Sequence, residues 1–210
     1  MKNELHQSWL NLSSKYTDDD LLLNELWIEI HEKYTSKKRH YHNLNHLDYM
    51  FQLATNDQAD LEDYDTVQFA IWYHDVIYNS VKSTNELKSA TFARKRLIKL
   101  QFDPKRIENC ANLIISTKKH EVINAQNQDN AYLLDWDLAI LGTTWETYEK
   151  YTQKIRAEYS MFPDFMYTKG RKKVLQHFLE RPRIYYTEKY HDLWEAFARK
   201  NIQKELTSLL

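Results

Sequence analysis

The chain has 210 residues, 42% of them hydrophobic, which is enough for a sizeable core, and a formal net charge of −1. That charge excludes a global field able to gather nucleic acid or coat an anionic membrane, although a local basic cluster can still hold a phosphate. Two Gly and three Pro leave few residues for the tight turns of β-hairpins, so composition alone points to an all-α protein.

The single Cys110 excludes an intramolecular disulfide framework and fits a reducing, cytoplasmic setting. With no activating group near it in sequence, Cys110 reads as a small core residue. No apolar run approaches the ~20 residues of a membrane span, and the polar N-terminus lacks a signal-peptide core.

Helix signals follow one another along the chain. Asp18 is placed to cap a segment whose apolar residues Leu22, Leu26 and Ile30 recur every four positions. Asn43 is placed to cap a helix carrying Leu44, Leu47, Met50 and Phe51, and Asp65 or Thr66 to start one carrying Val67, Ala70, Ile71 and His74. Ser83 and Glu86 have capping-box spacing for a helix to about Leu100. Asp103-Pro104 is a cap followed by proline at the first helical position, opening a helix to about Thr117.

Asn124 to Asn130 is polar and loop-like. Tyr132 to Leu141 reads as a short helix stopped by Gly142 in the left-handed cap conformation. Thr143 and Glu146 suggest a second capping box, for a helix to about Tyr159. Phe162-Pro163-Asp164 breaks the chain and caps a helix to about Leu179. Gly170 inside that helix costs about 1 kcal/mol and suggests close packing or a kink. Pro182 ends it, and Thr187 caps a last helix whose apolar stripe is Leu193, Phe197, Ile202, Leu206 and Leu209. The expectation is eight or nine helices in one domain spanning residues 1–210, with no repeat or linker to divide it.

Three segments hold an unusual share of ligand-type residues: Arg39-His40-Tyr41-His42-Asn43-Leu44-Asn45-His46-Leu47, Ala70-Ile71-Trp72-Tyr73-His74-Asp75-Val76, and Leu133-Leu134-Asp135-Trp136-Asp137-Leu138-Ala139-Ile140-Leu141-Gly142. Imidazoles and carboxylates together suit a divalent cation such as Mn²⁺, Fe²⁺, Co²⁺, Ni²⁺, Zn²⁺ or Mg²⁺ while leaving positions for water. A His-Asp pair alone is weak evidence, and each Asp can equally cap a helix. The conjunction is more informative, because His74 and Asp75 end an apolar helix where a buried carboxylate and imidazole need a partner.

The order His46, then His74-Asp75, then Asp137 resembles the HD-domain superfamily of metal-dependent phosphohydrolases. The wording YHNLNHL, AIWYHDVIYN, NELKSA, LLDWDLAILG, IRAEY and GRKKVLQHFLERPRIYYT is similar to a bacterial branch described only as predicted metal-dependent HD phosphohydrolases. The likeness runs from about Lys37 to Leu206 and implies an HD-domain helical bundle with helical extensions. It implies His46, His74, Asp75 and Asp137 as metal ligands, with Asp135 an alternative to Asp137 because a Trp precedes Asp137 where the family has a small residue.

Tyr41-His42-Asn43 followed by His46 also resembles cyclic-nucleotide phosphodiesterases, in which the His of that phrase is a general acid. By that likeness His42 would protonate the leaving oxygen, and Asp75 would orient the attacking water. Glu86 is a candidate for holding a water or a second metal, although a capping role suffices for it. Arg39, Lys118 and His120 are candidate phosphate or substrate contacts, whereas Arg156 and Glu158 fit a charged helix face. Tyr73, Tyr78 and Trp136 fit the core better than a nucleobase stack.

The resemblance thus implies a metal-dependent hydrolase of a phosphate ester, with a small nucleotide as the expected substrate. A non-catalytic nucleotide or metal sensor on the same scaffold, and a helical interaction protein without a site, are the alternatives. The amphipathic terminal helices also offer a face for a homodimer.

Overall fold

A computed structural model of the chain describes residues 2–123 and 128–209, the side chains of residues 2 and 3 aside. Asn124 to Asn127, the first part of the expected polar loop, lie outside the described residues. Every regular element among the described residues is helical. The described residues form ten α-helices rather than eight or nine, with short 3₁₀ turns at Gln58–Asp60 and Ala139–Gly142. The chain divides into two compact units, Met1–Leu133 and Leu134–Leu210. No helix among the described residues is long and apolar enough to cross a membrane.

The first unit contains α1 (Lys2–Ser13), α2 (Asp20–Tyr34), α3 (Leu44–Asn56), α4 (Tyr64–Tyr73), α5 (Asn85–Lys99) and α6 (Pro104–Ser116). The additional helix is α1, whose Leu5, Trp9 and Leu12 form a buried stripe at spacings of four and three. α4 is the central rod of this unit. Thr66, Val67 and all five residues from Phe69 to Tyr73 are buried, so it is apolar on almost every side and packs against α3, α5 and α6. Trp9 seals its other flank, meeting Phe69, Trp72 and Tyr73 edge-on and donating its indole N–H to the Leu23 carbonyl at 3.0 Å.

Caps locate the helix starts. Asn43 accepts from Asn45 N–H, and Asp103 accepts from Arg106 N–H ahead of Pro104, both as the sequence implies. α2 is capped by Asp19 rather than Asp18, and α4 by Asp63 rather than Asp65 or Thr66. Asp63 does more than cap. Its carboxylate also takes both ends of the Arg106 guanidinium, at 2.7 and 2.6 Å, and the Thr66 hydroxyl at 2.6 Å. Asp65 is instead engaged by Lys15 and Tyr16 at 2.8 and 2.7 Å.

Neither expected capping box forms. α5 begins after Thr84 and α8 (Trp145–Glu158) after Thr144, in both cases without a side-chain cap bond. Asp164 is the first residue of α9 (Asp164–Glu180), following Pro163, and ties back to Arg156 at 2.6 Å instead of capping.

α7 (Asp129–Asp137) crosses the boundary between the units. At its start, Asp129 accepts the Glu62 and Asp63 N–H groups, fixing the segment that leads into α4. The expected helix from Tyr132 to Leu141 is thus two elements, with α7 ending at Asp137 and the second 3₁₀ turn following.

In the second unit that 3₁₀ turn packs on α10 (Glu188–Ser208). Gly142 does not adopt a left-handed conformation there; no described Gly does. Its lack of a side chain admits Trp194, whose Cβ a side chain at 142 would strike and whose Cγ would lie 2.7 Å from it. The left-handed conformation falls instead to Gln101 (φ 57°) and His120 (φ 49°). At the end of α5, Phe102 N–H bonds to Leu97 O and Gln101 N–H to Ile98 O, a Schellman arrangement with Gln where Gly is usual.

The buried face of α10 is Tyr190, Trp194, Ala198, Asn201, Ile202 and Glu205, whereas Leu193 and Phe197 of the expected stripe are exposed. Three buried ion-pair or capping sets hold the unit. Arg171 binds Glu205 at 2.7 Å beside Tyr148. Glu195 accepts Ile184 and Tyr185 N–H. Asn201 donates to Leu141 and Thr143 O. Gly170 on α9 has open space around it, so neither close packing nor a neighbouring side chain calls for glycine.

These placements give opposite signs for three glycine substitutions. Gly170→Ala and Gln101→Gly are each expected to stabilise by about 1 kcal/mol, and Gly142→Ala to destabilise by about 1–3 kcal/mol, measured by denaturant midpoint at constant slope. A stabilising Gly142→Ala would contradict the packing described for Trp194.

Asp63 carries a pH signature. Burial raises its pKa, but the hydrogen bonds from Arg106 and Thr66 outweigh that and leave it below the ordinary 3.8. Its stabilisation is therefore present above that value and lost as the pH falls through its folded pKa. Asp63→Asn keeps a capping oxygen and removes the charge; acid titration of unfolding should show a flatter decline below about pH 4 in this variant than in the parent.

Candidate metal centre

α3 delivers His46 in its first turn, with the ring buried. α4 delivers His74, but the helix stops one residue before it, and His74 is the cap residue. A regular helix would direct Asp75 N–H to the Ile71 carbonyl. Here the His74 Nδ1–H takes that carbonyl at 2.9 Å, and Asp75 N–H turns to the Tyr34 hydroxyl oxygen at 3.2 Å.

The exchange has two results. Asp75 leaves the helix and folds back beside His74, which removes the roughly 100° divergence of adjacent helical residues. The His74 tautomer is also fixed with hydrogen on Nδ1, so the Nε2 lone pair faces the site.

The geometry fits a cation. His46 Nε2 lies 3.2 Å from His74 Nε2, and His74 Nε2 lies 3.3 Å from Asp75 Oδ2. Ligand atoms about 2.1 Å from one ion stand roughly 3.0–3.4 Å apart in octahedral or tetrahedral arrangements. One ligand atom each from His46, His74 and Asp75 lies within 4.8 Å of the other two, with both histidines buried and Asp75 half-buried. Two imidazoles and a carboxylate are borderline ligands suited to transition-metal dications, and Asp75 is exposed enough to leave positions for water.

The turn carrying Asp75 has no regular structure, yet side chains hold its backbone. Arg39 donates to the Asp75 and Val76 carbonyls at 2.7 and 3.1 Å. Ser89 pairs with Ile77 N–H and C=O, and Asn85 with Asn79 N–H and C=O, at 3.0–3.3 Å. Sequence reasoning missed these roles. The signal was Asn85 and Ser89, four apart on one face of α5 within the phrase NELKSA.

His42 stands beside the group, its ring centroid 6.0 Å from that of His46, and stacks on Tyr78 at 4.4 Å. Arg39, expected to contact substrate, directs three hydrogen bonds to backbone carbonyls of the two site turns. Glu86 lies in the first turn of α5, and its Oε2 is buried without a hydrogen-bond partner. Lys118 is exposed beyond the end of α6, and His120 follows in its left-handed conformation, half-buried.

Asp137 is the last residue of α7, half-buried in the second unit. The alternative Asp135 is fully buried, and both its oxygens are occupied by Tyr186 N–H, Thr187 N–H and the Thr187 hydroxyl, at 2.7–2.8 Å. That makes Asp135 the anchor of the turn before α10 rather than a metal ligand. Of the aromatics, Tyr73 and Trp136 are core residues, as the sequence implies, and Tyr78 backs His42.

A second grouping of ligand types, Glu188, His191 and Asp192, is largely exposed at the start of α10. Glu188 already pairs with Arg183 at 2.7 Å, and the positive end of a helix disfavours a cation.

Comparisons of the chain with models of known families, with curated proteins and with solved structures return no match.

The fit of His46, His74 and Asp75 to a cation has a direct consequence for stability. Mn²⁺, Co²⁺ or Zn²⁺ at about 100 times its dissociation constant should stabilise the chain by about 2.7 kcal/mol, and a chelator should reverse the gain. Thermal unfolding of the parent and of His46→Ala/His74→Ala checks this. An equal metal response in both would remove the site.

Proposed function

We propose that the chain is a metal-dependent phosphohydrolase of the HD type, acting on a small phosphorylated molecule, with a nucleotide as the favoured class. The observation that carries this reading is the convergence of His46 Nε2, His74 Nε2 and Asp75 Oδ2, with His74 held in its ligating tautomer by Ile71 O. The order of these residues along the chain and the wording around them add the family-level support.

His46, His74 and Asp75 would hold the cation. When bound, a divalent cation supplies Lewis acidity, lowering the pKa of water and neutralising phosphoryl oxygens. In hydrolysis, the water oxygen bonds to phosphorus and gives up a proton to solvent, from which His42 is later reprotonated, while the phosphorus–oxygen bond to the leaving group breaks. The departing oxygen takes a proton from His42, whose ring is kept edge-on to His46 by the stack on Tyr78. Glu86, with a buried oxygen in want of a donor, is the carboxylate available to hold a water.

The test is turnover. Protein loaded with Mn²⁺ or Co²⁺ is offered aryl phosphate mono- and diesters and nucleoside mono-, tri- and cyclic phosphates, with phosphate or nucleoside release followed. Hydrolysis of at least one is expected, falling at least about a hundredfold in His74→Ala with unchanged far-UV circular dichroism. His42→Gln should lower the rate by about 10²–10⁴ while leaving metal binding intact. Inactivity across the panel would overturn the assignment as an enzyme, and nucleotide-induced stabilisation without turnover would mark a sensor instead.

A further inference from the structure

We propose that Arg39 is a positioning residue that sets the geometry of the metal ligands, rather than a contact for the substrate phosphate. This rests on the metal-site reading above and goes beyond it.

The guanidinium of Arg39 directs hydrogen bonds onto backbone carbonyls. Arg39 Nη1 donates to two carbonyls at once, His42 O at 3.1 Å and Asp75 O at 2.7 Å, and Nη2 donates to Val76 O at 3.1 Å. One planar group therefore ties the turn bearing His42 to the turn bearing Asp75, which lies 36 residues after Arg39 itself. Its plane is flanked by two rings: Tyr34, with a centroid 4.7 Å from Cζ, and Tyr78, at 5.4 Å. Both rings have a second task at the same place. The Tyr34 hydroxyl oxygen accepts Asp75 N–H, and Tyr78 stacks on His42.

Asp75 thus has its N–H and its C=O held by a two-residue clamp, and the same clamp reaches the backbone of His42. A ligating carboxylate on an irregular turn has no helix or strand to fix it, and productive geometry tolerates only about half an ångström of drift. A rigid fork with donors in fixed directions suits this task. A lysine in its place offers one nitrogen on a flexible stem and cannot span three carbonyls. A phosphate-binding arginine would turn its paired donors toward the ligand, whereas this fork is turned onto the protein's own backbone.

The test separates metal geometry from anion binding. Co²⁺ titration, followed by calorimetry and by the visible spectrum of the bound ion, is run on the parent, Arg39→Lys, Arg39→Met and His74→Ala. Inorganic phosphate is then titrated into the Co²⁺-loaded proteins. Both Arg39 variants are expected to bind Co²⁺ about 10–100-fold more weakly with an altered spectrum, and to bind phosphate within about threefold of the parent once loaded. Parental Co²⁺ affinity and spectrum in both Arg39 variants, with weakened phosphate binding, would overturn the proposal and make Arg39 an anion contact. If Arg39→Met fails to fold, Tyr34→Phe carries the same test, since it removes only the oxygen that takes Asp75 N–H; unchanged Co²⁺ affinity there and in Arg39→Lys overturns the proposal. A parent that binds Co²⁺ no better than His74→Ala overturns the metal reading itself, and the positioning role with it.

Discussion

The candidate site depends on one exchange of hydrogen-bond partners at the end of α4. The Ile71 carbonyl, which a continuing helix would give to Asp75 N–H, goes to the His74 imidazole instead. That single bond ends the helix, turns the chain at Asp75 and aims His74 Nε2 at His46. An exit of this kind would normally strand backbone groups, since a buried, unpaired N–H or C=O costs about 1–3 kcal/mol. The chain answers with side chains rather than with a strand. Tyr34 takes Asp75 N–H, Arg39 the Asp75 and Val76 carbonyls, Ser89 the N–H and C=O of Ile77, and Asn85 those of Asn79, while Val76 N–H bonds to the Tyr73 carbonyl. The irregularity that the ligand geometry requires is thereby made as well determined as a regular element.

This solution demands a stiff foundation, and α4 supplies it. Its apolar residues meet neighbours on nearly every side, with Trp9 and Trp72 interlocked edge to face and Phe51 tilted against Trp72. A close-packed interior transmits displacement instead of absorbing it. Residues remote from the site, such as Trp9 on α1, are therefore tied mechanically to the position of His74.

What could be read from the sequence divides along the line between local and distant partners. Asn43 and Asp103 were legible as caps because a cap needs only the next two or three residues. His46, His74 and Asp75 were legible as a set because residue type and order suffice to name them. The helix α1 carried a clear stripe in Leu5, Trp9 and Leu12 but lay in a segment with a low apolar average. Of the stripe expected on α10, Ile202 is on the buried face, whereas Leu193 and Phe197 each stand one residue from a buried position, Trp194 and Ala198, and one residue on a helix is 100°. Trp194, whose neighbour is Gly142 in a distant turn, decides that face. Arg39 shows the limit most clearly: its targets are carbonyl groups, which every residue possesses, so no pattern of side chains could reveal them.

Asp135 and Asp137 illustrate how two acids of the same type, two residues apart on one helix, take different roles. Their directions differ by about 200° on an α-helix, so a task that captures one releases the other from it. Asp135 is captured by the turn before α10. Burial pushes its pKa up to about 6, against the three donors of Tyr186 and Thr187 that favour the charge. An acid whose folded pKa is raised stabilises the fold most when protonated, and that stabilisation is lost as the pH rises from about 4 to about 6. Asp63 acts in the opposite direction, since Arg106 and Thr66 bring its pKa down despite burial. Each unit therefore carries a carboxylate of opposite pH dependence, and the difference lies in burial and partners together: hydrogen bonds from a guanidinium and a hydroxyl outweigh the desolvation of half-buried Asp63, whereas that of fully buried Asp135 exceeds what backbone amides, a hydroxyl and the charge of Arg183 return.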